Sequence, residues 1–156
     1  MDVQFINPFL IAVQGVFKTM LSVQVTVGKP SVKTDNLTRS DVTGVISFDG
    51  DKKGTFSLAF SGASALFIYK SMLGEDAPAV NADVIDAVGE LTHIISGQVR
   101  VEFEKMGHKL SSGTPSVIVG QNVEIKAITK LPLITLPFDF DAGGTPAQLF
   151  ADLSFE

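Results

Sequence analysis

The sequence predicts an α+β fold in which a largely antiparallel sheet carries a long amphipathic helix and shorter helices on one side. The first observation is a helical repeat of apolar residues between Asn81 and Met106. The second is a set of short β-branched and aromatic runs after Ser22 and again after Gly107. Most of these runs are joined by short turns, which favour antiparallel pairing. One domain over residues 1–156 is long enough to bury such a core.

The sequence of the first half of the chain predicts a β-hairpin with one helix before it and one helix after it. Asn7 can cap a helix that begins with Pro8, because proline suits the first helical position. The Asp49-Gly50 step favours a hairpin turn, and Gly74 is expected to end the second helix. The expected elements are a helix over 7–21, extended chain over 22–32, strands over 42–48 and 55–60, and a helix over 63–73.

The second half predicts one long helix followed by strands. Asn81 can cap this helix. Its expected buried face consists of Val84, Val88, Leu91, Ile95, Val99 and Met106. After a short irregular stretch over 109–115, strands are expected over 117–119, 123–129, 133–141 and 148–155.

Composition and charge exclude several classes of function. The chain has no cysteine, which excludes disulfides and cysteine-ligated metal, and His93 and His108 lack metal-ligand spacing, so no metal site is expected. A net charge of −5 without a basic cluster argues against a nucleic-acid partner. No apolar stretch predicts a membrane span. The start, Met1-Asp-Val-Gln-Phe5, lacks the basic and apolar regions of a secretory signal, so a cytoplasmic location is expected.

A row of polar residues runs opposite the apolar face of the long helix. This polar row consists of Asp86, Glu90, His93, Gly97, Arg100 and Glu104. It is either a solvated helix face, which is common on surface helices, or a surface that contacts a partner and takes part in chemistry on it. Gly89 lies off the polar row and is expected to mark close packing of the helix.

Several stretches of sequence carry a resemblance to a known family. The polar row belongs to Asp86-Ala-Val-Gly-Glu90-Leu-Thr-His93-Ile-Ile-Ser-Gly97, which is followed downstream by Ser112-Gly-Thr-Pro115. The chain opens with Ile6-Asn-Pro-Phe9 and has Leu136-Pro-Phe-Asp-Phe140 before its last strand. With these motifs the chain resembles the CheX branch of the CheC/CheX/FliY chemotaxis phosphatases over nearly its whole length, and the expected fold is CheC/CheX-like.

The resemblance implies an activity and a partner. Members of this family remove the phosphoryl group from the aspartate of a phosphorylated CheY-type response regulator. The regulator supplies magnesium, so the chain is expected to need no cofactor of its own. Glu90 matches the family glutamate that binds a basic residue of the regulator, Asp86 matches the acid or serine one turn earlier, and Pro115 lies near the position of a downstream proline. Family members are homodimers that extend a sheet between subunits, and the same is expected here.

His93 occupies the place of the family asparagine that orients the attacking water. A neutral imidazole also has one donor and one acceptor, but protonation removes the acceptor. Losing one positioned polar group in an active site costs about 10² to 10³ in rate. The resemblance therefore implies altered or reduced phosphatase activity, or a docking protein that has dropped the chemistry. His93 could instead be a surface residue that pairs with Glu90 one turn back.

The sequence leaves alternatives open for the role of Gly97 and for the function of the chain. Glycine inside a helix costs about 1 kcal/mol relative to alanine. At Gly97 it would either let a partner's backbone approach or serve a packing contact. The chain is expected to be a phosphatase that uses Glu90 and His93, a non-catalytic module that binds a receiver or other signalling domain through the same helix, or a structural dimeric domain.

Overall fold

The computed structural model describes residues 3–128 and 130–156, and it confirms the predicted α+β class. Met1, Asp2 and Thr129 lie outside the described residues. After a 3-10 turn at Val3–Phe5, the elements in chain order are α1 Asn7–Leu21, β1 Thr26–Val27, β2 Ser31–Lys33, β3 Val42–Gly50, β4 Gly54–Phe60, α2 Gly62–Leu73, α3 Ala82–Lys105, β5 Leu110–Ser112, β6 Ser116–Val119, β7 Leu133–Asp141 and β8 Pro146–Phe155.

The strands of the described residues form one antiparallel sheet in the order β1–β7–β8–β4–β3–β5. Strand β2 also pairs with β7, and strand β6 also pairs with β3. The helices cover one face of this sheet, and the hydrophobic core lies between the two layers. No helix in residues 3–128 or 130–156 is long and apolar enough to cross a membrane.

The strand predicted over 123–129 is wrong. Within the described residues 123–128, Glu124 makes only an isolated bridge to Leu37. Two backbone hydrogen bonds flank this bridge, from the Thr38 N–H to the Val123 carbonyl at 2.9 Å and from the Ile125 N–H to the Asn36 carbonyl at 2.7 Å. Beyond it the backbone is bound by a side chain instead of a strand ladder, since Thr55 Oγ1 donates to the Ala127 carbonyl at 2.9 Å. Local β propensity is therefore overridden by contacts with distant parts of the chain.

The predicted cap of α1 by Asn7 is also wrong. Ile6 holds the N-cap position in a right-handed helical conformation, and its apolar side chain makes no capping hydrogen bond. The 3-10 turn leads directly into α1, with the Ile6 N–H bound to the Val3 carbonyl and the Phe9 N–H bound to the Ile6 carbonyl, both at 3.0 Å. Asn7 is consequently already inside the helix and cannot act as its cap.

The buried face of α3 ends on a phenylalanine rather than on the predicted methionine. Met106 is 37% exposed because it follows the last helical residue, where the chain leaves the helical repeat. Phe103 is fully buried, with its ring centroid 5.4 Å from that of Phe155 and 6.0 Å from that of Phe9. This aromatic cluster fixes the C-terminal end of α3 against the sheet and α1.

Candidate functional site

Two glycines allow α3 to lie close to the sheet. A Cβ built on Gly44 of β3 would overlap Thr92 Oγ1 and stand 3.1 Å from Thr92 Cβ. A Cβ on Gly89 of α3 would stand 3.3 Å from Val117 Cγ2 of β6, so the close packing predicted at Gly89 is confirmed. Because both contacts are tight, α3 has little freedom to shift along or away from strands β3 and β6.

A bulge at the sheet edge lies beside α3. The register between β3 and β5 pairs Phe48 with Ser112, whereas the register between β3 and β6 pairs Val45 with Ser116. Three residues, 113–115, therefore oppose two residues of β3, which defines a β-bulge. Pro115 suits this position because proline has no N–H to donate to a strand ladder.

The polar row and the bulge form the two walls of an open cleft of about 740 Å³. Asp86, Glu90 and His93 line the helix wall, and Pro115 lines the opposite wall together with Ser112, Gly113 and Thr114. Four of the five predicted site residues are thus brought together, although Pro115 is far from the others in sequence. Gly97 does not line this cleft.

The charged side chains of the helix wall have no partners within the described part of the chain. Asp86, Glu90 and His93 are exposed, and neither a hydrogen bond nor an ion pair engages their side chains among residues 3–128 and 130–156. The alternative in which His93 pairs with Glu90 is therefore not observed. Residues three apart on a helix have Cβ atoms about 5–6 Å from each other, so both side chains can contact one bound group.

Asp86 and Glu90 form a ridge between two grooves. Besides the cleft, they line a second groove with Tyr69, Leu73 and Glu75. The Tyr69 hydroxyl donates to Glu75 Oε2 at 3.2 Å, and burial, together with this neighbouring carboxylate, raises the pKa of Tyr69. The second groove is consequently rich in carboxylates, and a basic surface would complement the ridge from both sides.

Gly97 is half-buried and contacts a side chain of its own helix. A Cβ built there would stand 3.7 Å from Arg100 Nη2, which is an ordinary van der Waals distance. The guanidinium of Arg100 therefore lies beside the glycine, and the approach of a partner's backbone at Gly97 stays a prediction.

The remaining residues of the bulge wall are not among the predicted site residues. Ser112, Gly113 and Thr114 lie in the stretch 109–115 that was expected to be irregular. The Gly-Thr-Pro run between two β-rich segments was the available signal, because glycine and proline in such a position favour a bulge or turn. No group of three or more His, Asp or Glu side chains within the described residues is arranged to hold a metal ion.

Comparisons with known proteins agree with this architecture. The family model for chemotaxis phosphatase CheX matches residues 42–139. The CheY-P phosphatase CheX of Thermotoga maritima is 26% identical over 146 residues, which cover 90% of this chain and 94% of that protein. The crystal structure of the chemotaxis protein CheX from Desulfovibrio desulfuricans is 35% identical, with a TM-score of 0.86 and coverage of 99% of this chain and 100% of that chain.

A third relative was solved as a complex. The structure of the CheX-CheY-BeF3-Mg²⁺ complex from Borrelia burgdorferi has a TM-score of 0.76 and covers 99% of both chains. Its identity to this chain is 20%, and at that level the similarity shows a shared fold.

Proposed function

The chain belongs to the family of the chemotaxis phosphatase CheX, and we propose that it binds a phosphorylated CheY-type receiver domain and hydrolyses its aspartyl phosphate. The observation that carries this proposal is the pair of exposed side chains, Glu90 and His93, on one wall of the cleft, neither of which is paired within the described residues. The Thermotoga maritima relative is described as a CheY-P phosphatase, and the Borrelia burgdorferi relative was crystallised with CheY. Both descriptions support a receiver domain as the partner.

The reaction requires little covalent chemistry from this chain. A water molecule attacks the phosphorus, the bond between phosphorus and the aspartyl oxygen breaks, and inorganic phosphate and a free aspartate carboxylate are released. Catalysis of phosphoryl transfer depends mainly on positioning and on electrostatic stabilisation. A rigid helix that presents two side chains can supply the positioning, and the tight contact of Thr92 with Gly44 holds α3 in place.

Each side chain of the helix wall has a distinct proposed role. Glu90 binds a basic side chain of the receiver and so docks the helix beside the phosphoryl group. His93 accepts a hydrogen bond from the attacking water through its unprotonated ring nitrogen and aligns the water with the phosphorus. Asp86 and Pro115 contact the receiver on either side of this pair. Magnesium belongs to the receiver in this proposal, where it offsets the charge of the phosphoryl group.

The test is the release of phosphate from a phosphorylated receiver of the same genome. We expect the wild-type chain to accelerate phosphate release. The acceleration by Glu90→Ala should be at least tenfold smaller than that by the wild type. Glu104→Ala is the matched control, because Glu104 is an exposed carboxylate of the same polar row that does not line the cleft.

The substitution of histidine for the family asparagine supports a second candidate, a receiver-binding module without catalysis. His93→Asn separates the two candidates. If the wild-type chain binds the receiver without shortening the phosphate lifetime at any pH between about 5 and 8, catalysis is excluded. A gain of about 10² in rate for His93→Asn would then locate the lost activity at this residue. Absence of binding at any phosphorylation state would exclude both candidates.

The predicted homodimer remains a prediction. The outermost strands of the sheet are short on both sides, β1 and β2 beside β7 and β5 and β6 beside β3. Their outer edges have unpaired backbone groups within the described residues, and edge pairing with a second subunit would satisfy them. Sedimentation of the full chain measures this directly.

A further inference from the structure

Arg100 lies over the surface of its own helix rather than extending into solvent. Its Nη2 atom is 3.7 Å from the point where a Cβ of Gly97 would stand. Side chains of a helix lean toward its N-terminus, which brings the guanidinium back over the preceding turn. Because Gly97 has no side chain, the planar guanidinium can occupy that turn. It therefore lies one turn beyond His93, or about 6 Å along the helix axis from it.

The guanidinium has no acceptor within the described residues. Arg100 Nε is buried and unbonded, and the side chain forms no ion pair within residues 3–128 and 130–156. Glu104 lies one turn away on the same row but in the opposite direction, and it does not pair with Arg100. Lys105, by contrast, pairs with Glu102 at 3.1 Å. An arginine presents five donors, so an unpaired one on a predicted binding surface favours an external acceptor.

Between Asp86 and Arg100, the charges of the polar row are separated along the helix, and Glu104 lies one turn beyond Arg100. The carboxylates of Asp86 and Glu90 occupy its N-terminal part, His93 follows, and the guanidinium of Arg100 lies beyond it over Gly97. A surface with this order complements a partner that carries a basic group at one end and an acidic group at the other. Complementary charges of this kind fix the register of an interface and accelerate association.

We propose that Arg100, held in place over Gly97, binds a carboxylate of the receiver that borders the phosphorylated aspartate. This inference rests on the proposed function. A receiver that holds magnesium beside its phosphoryl group must do so with oxygen ligands, chiefly carboxylates, so acidic side chains are available there. Arginine binds carboxylates through two parallel hydrogen bonds, which sets the orientation as well as the affinity.

The experiment measures receiver binding and phosphate release for five variants of the full chain. Arg100→Ala is expected to weaken binding, and to raise KM, by about tenfold at low salt with kcat nearly unchanged. Arg100→Lys should recover part of the affinity. Gly97→Leu keeps the charge but displaces the guanidinium, so it should reproduce the loss, and Gly97→Leu with Arg100→Ala should lose no more than either alone. Lys105→Ala is the control for removal of one positive charge from the same helix.

The outcomes separate this inference from the function on which it rests. Receiver binding by Arg100→Ala at wild-type affinity would overturn the role of Arg100 and leave the proposed function intact. An equal loss for Lys105→Ala and Arg100→Ala would also overturn it, since the effect would then follow net charge alone. If the wild-type chain binds no receiver, the proposed function fails and this inference fails with it. Thermal unfolding of each variant shows whether a loss follows from damage to the fold.

Discussion

Carboxylates on the two sides of the sheet differ in their exposure and in their hydrogen-bond partners. On the helix face, Asp86 and Glu90 are exposed and have no partner among the described residues. On the far face, which is the side opposite the helices, the Asp152 side chain is only 8% exposed and is fully engaged. Arg39 Nη2 donates to Asp152 Oδ1 at 2.9 Å, and Thr135 Oγ1 donates to the same oxygen at 2.6 Å.

This difference distinguishes a structural charge from a charge available for binding. A buried carboxylate is tolerated only when hydrogen bonds and an opposite charge replace its hydration, as Arg39 and Thr135 do for Asp152. An exposed carboxylate keeps its water and costs the fold almost nothing, so it remains free to bind another molecule. The comparison therefore predicts that substitutions on the far face reduce stability, whereas substitutions on the helix wall change function.

The largest effect on stability is expected for Asp152→Ala. It would leave the Arg39 guanidinium, whose side chain is 25% exposed, without its carboxylate, and the loss should be about 3 kcal/mol of unfolding free energy. Urea denaturation of the variant and the wild type measures it.

A second variant checks the cause of that loss. Arg39→Met together with Asp152→Ala removes both charges, so the double variant should lose less than the sum of the two single variants. Additive losses of unfolding free energy would show that the ion pair between Arg39 and Asp152 does not stabilise the fold. The distinction between a structural carboxylate on the far face and binding carboxylates on the helix wall would then fail.

The next effect in size is expected where the helix face meets the sheet. Gly44→Ala adds a methyl group that overlaps Thr92 Oγ1, and it should cost about 2 kcal/mol of unfolding free energy because α3 has to shift. Since α3 carries one wall of the cleft, receiver binding should weaken as well, whereas the contact of Arg39 with Asp152 on the far face should persist.

Gly97→Ala is the matched control for that substitution. Its added methyl would meet nothing closer than Arg100 Nη2 at 3.7 Å, and alanine is favoured over glycine in a helix by about 1 kcal/mol, so the free energy of unfolding should rise slightly. A Gly44→Ala variant as stable as the wild type would show that the close approach of α3 is not needed to shape the cleft.

Much of the fold could be predicted because its long elements have strong local patterns. The helix expected over 81–106 was found as Ala82–Lys105, and the strand expected over 133–141 was found with the same bounds. The failures occur where distant contacts decide the conformation. The extended run over 22–32 is broken into two short strands by pairing with β7. The segment from Val123 is held by backbone hydrogen bonds to Asn36 and Thr38 and by the side chain of Thr55.

Residue spacing predicts the candidate site only on its helix wall, whereas Pro115 of the bulge wall was predicted from the family resemblance. Helical spacing fixes which side chains share a face, so Asp86, Glu90 and His93 could be grouped from the sequence. The bulge wall depends on a one-residue change of register between Ser112 and Ser116, and a single sequence does not contain the register of strand pairing. The contact of Arg100 with Gly97 depends in the same way on a side-chain conformation that residue spacing does not determine.

The smallest effect is expected at Asp41. Its carboxylate is neither buried in an ion pair like that of Asp152 nor without a partner in the described residues like that of Asp86. Asp41 Oδ2 accepts from the Gly62 N–H at the start of α2 at 2.8 Å, and Asp41 Oδ1 accepts from Gln121 Nε2 at 2.9 Å. These hydrogen bonds, the one from Gly62 first, hold the pKa of Asp41 below its ordinary value of 3.8. Its ionised form therefore stabilises the fold above that value, and this stabilisation is lost as the pH falls through the lowered pKa.

Asp41→Asn should accordingly have a slightly lower free energy of unfolding than the wild type at neutral pH. The difference in free energy should become smaller at acid pH. Urea denaturation of both proteins at both pH values measures it. Asparagine keeps an oxygen acceptor, so the variant removes the charge alone. Asp86→Asn is the control, because its carboxylate bonds to nothing within the described residues and its removal should leave stability unchanged at both pH values. A loss of stability for Asp86→Asn as large as that for Asp41→Asn would mean that the helix wall also supports the fold, and the separation between structural and binding carboxylates would not hold.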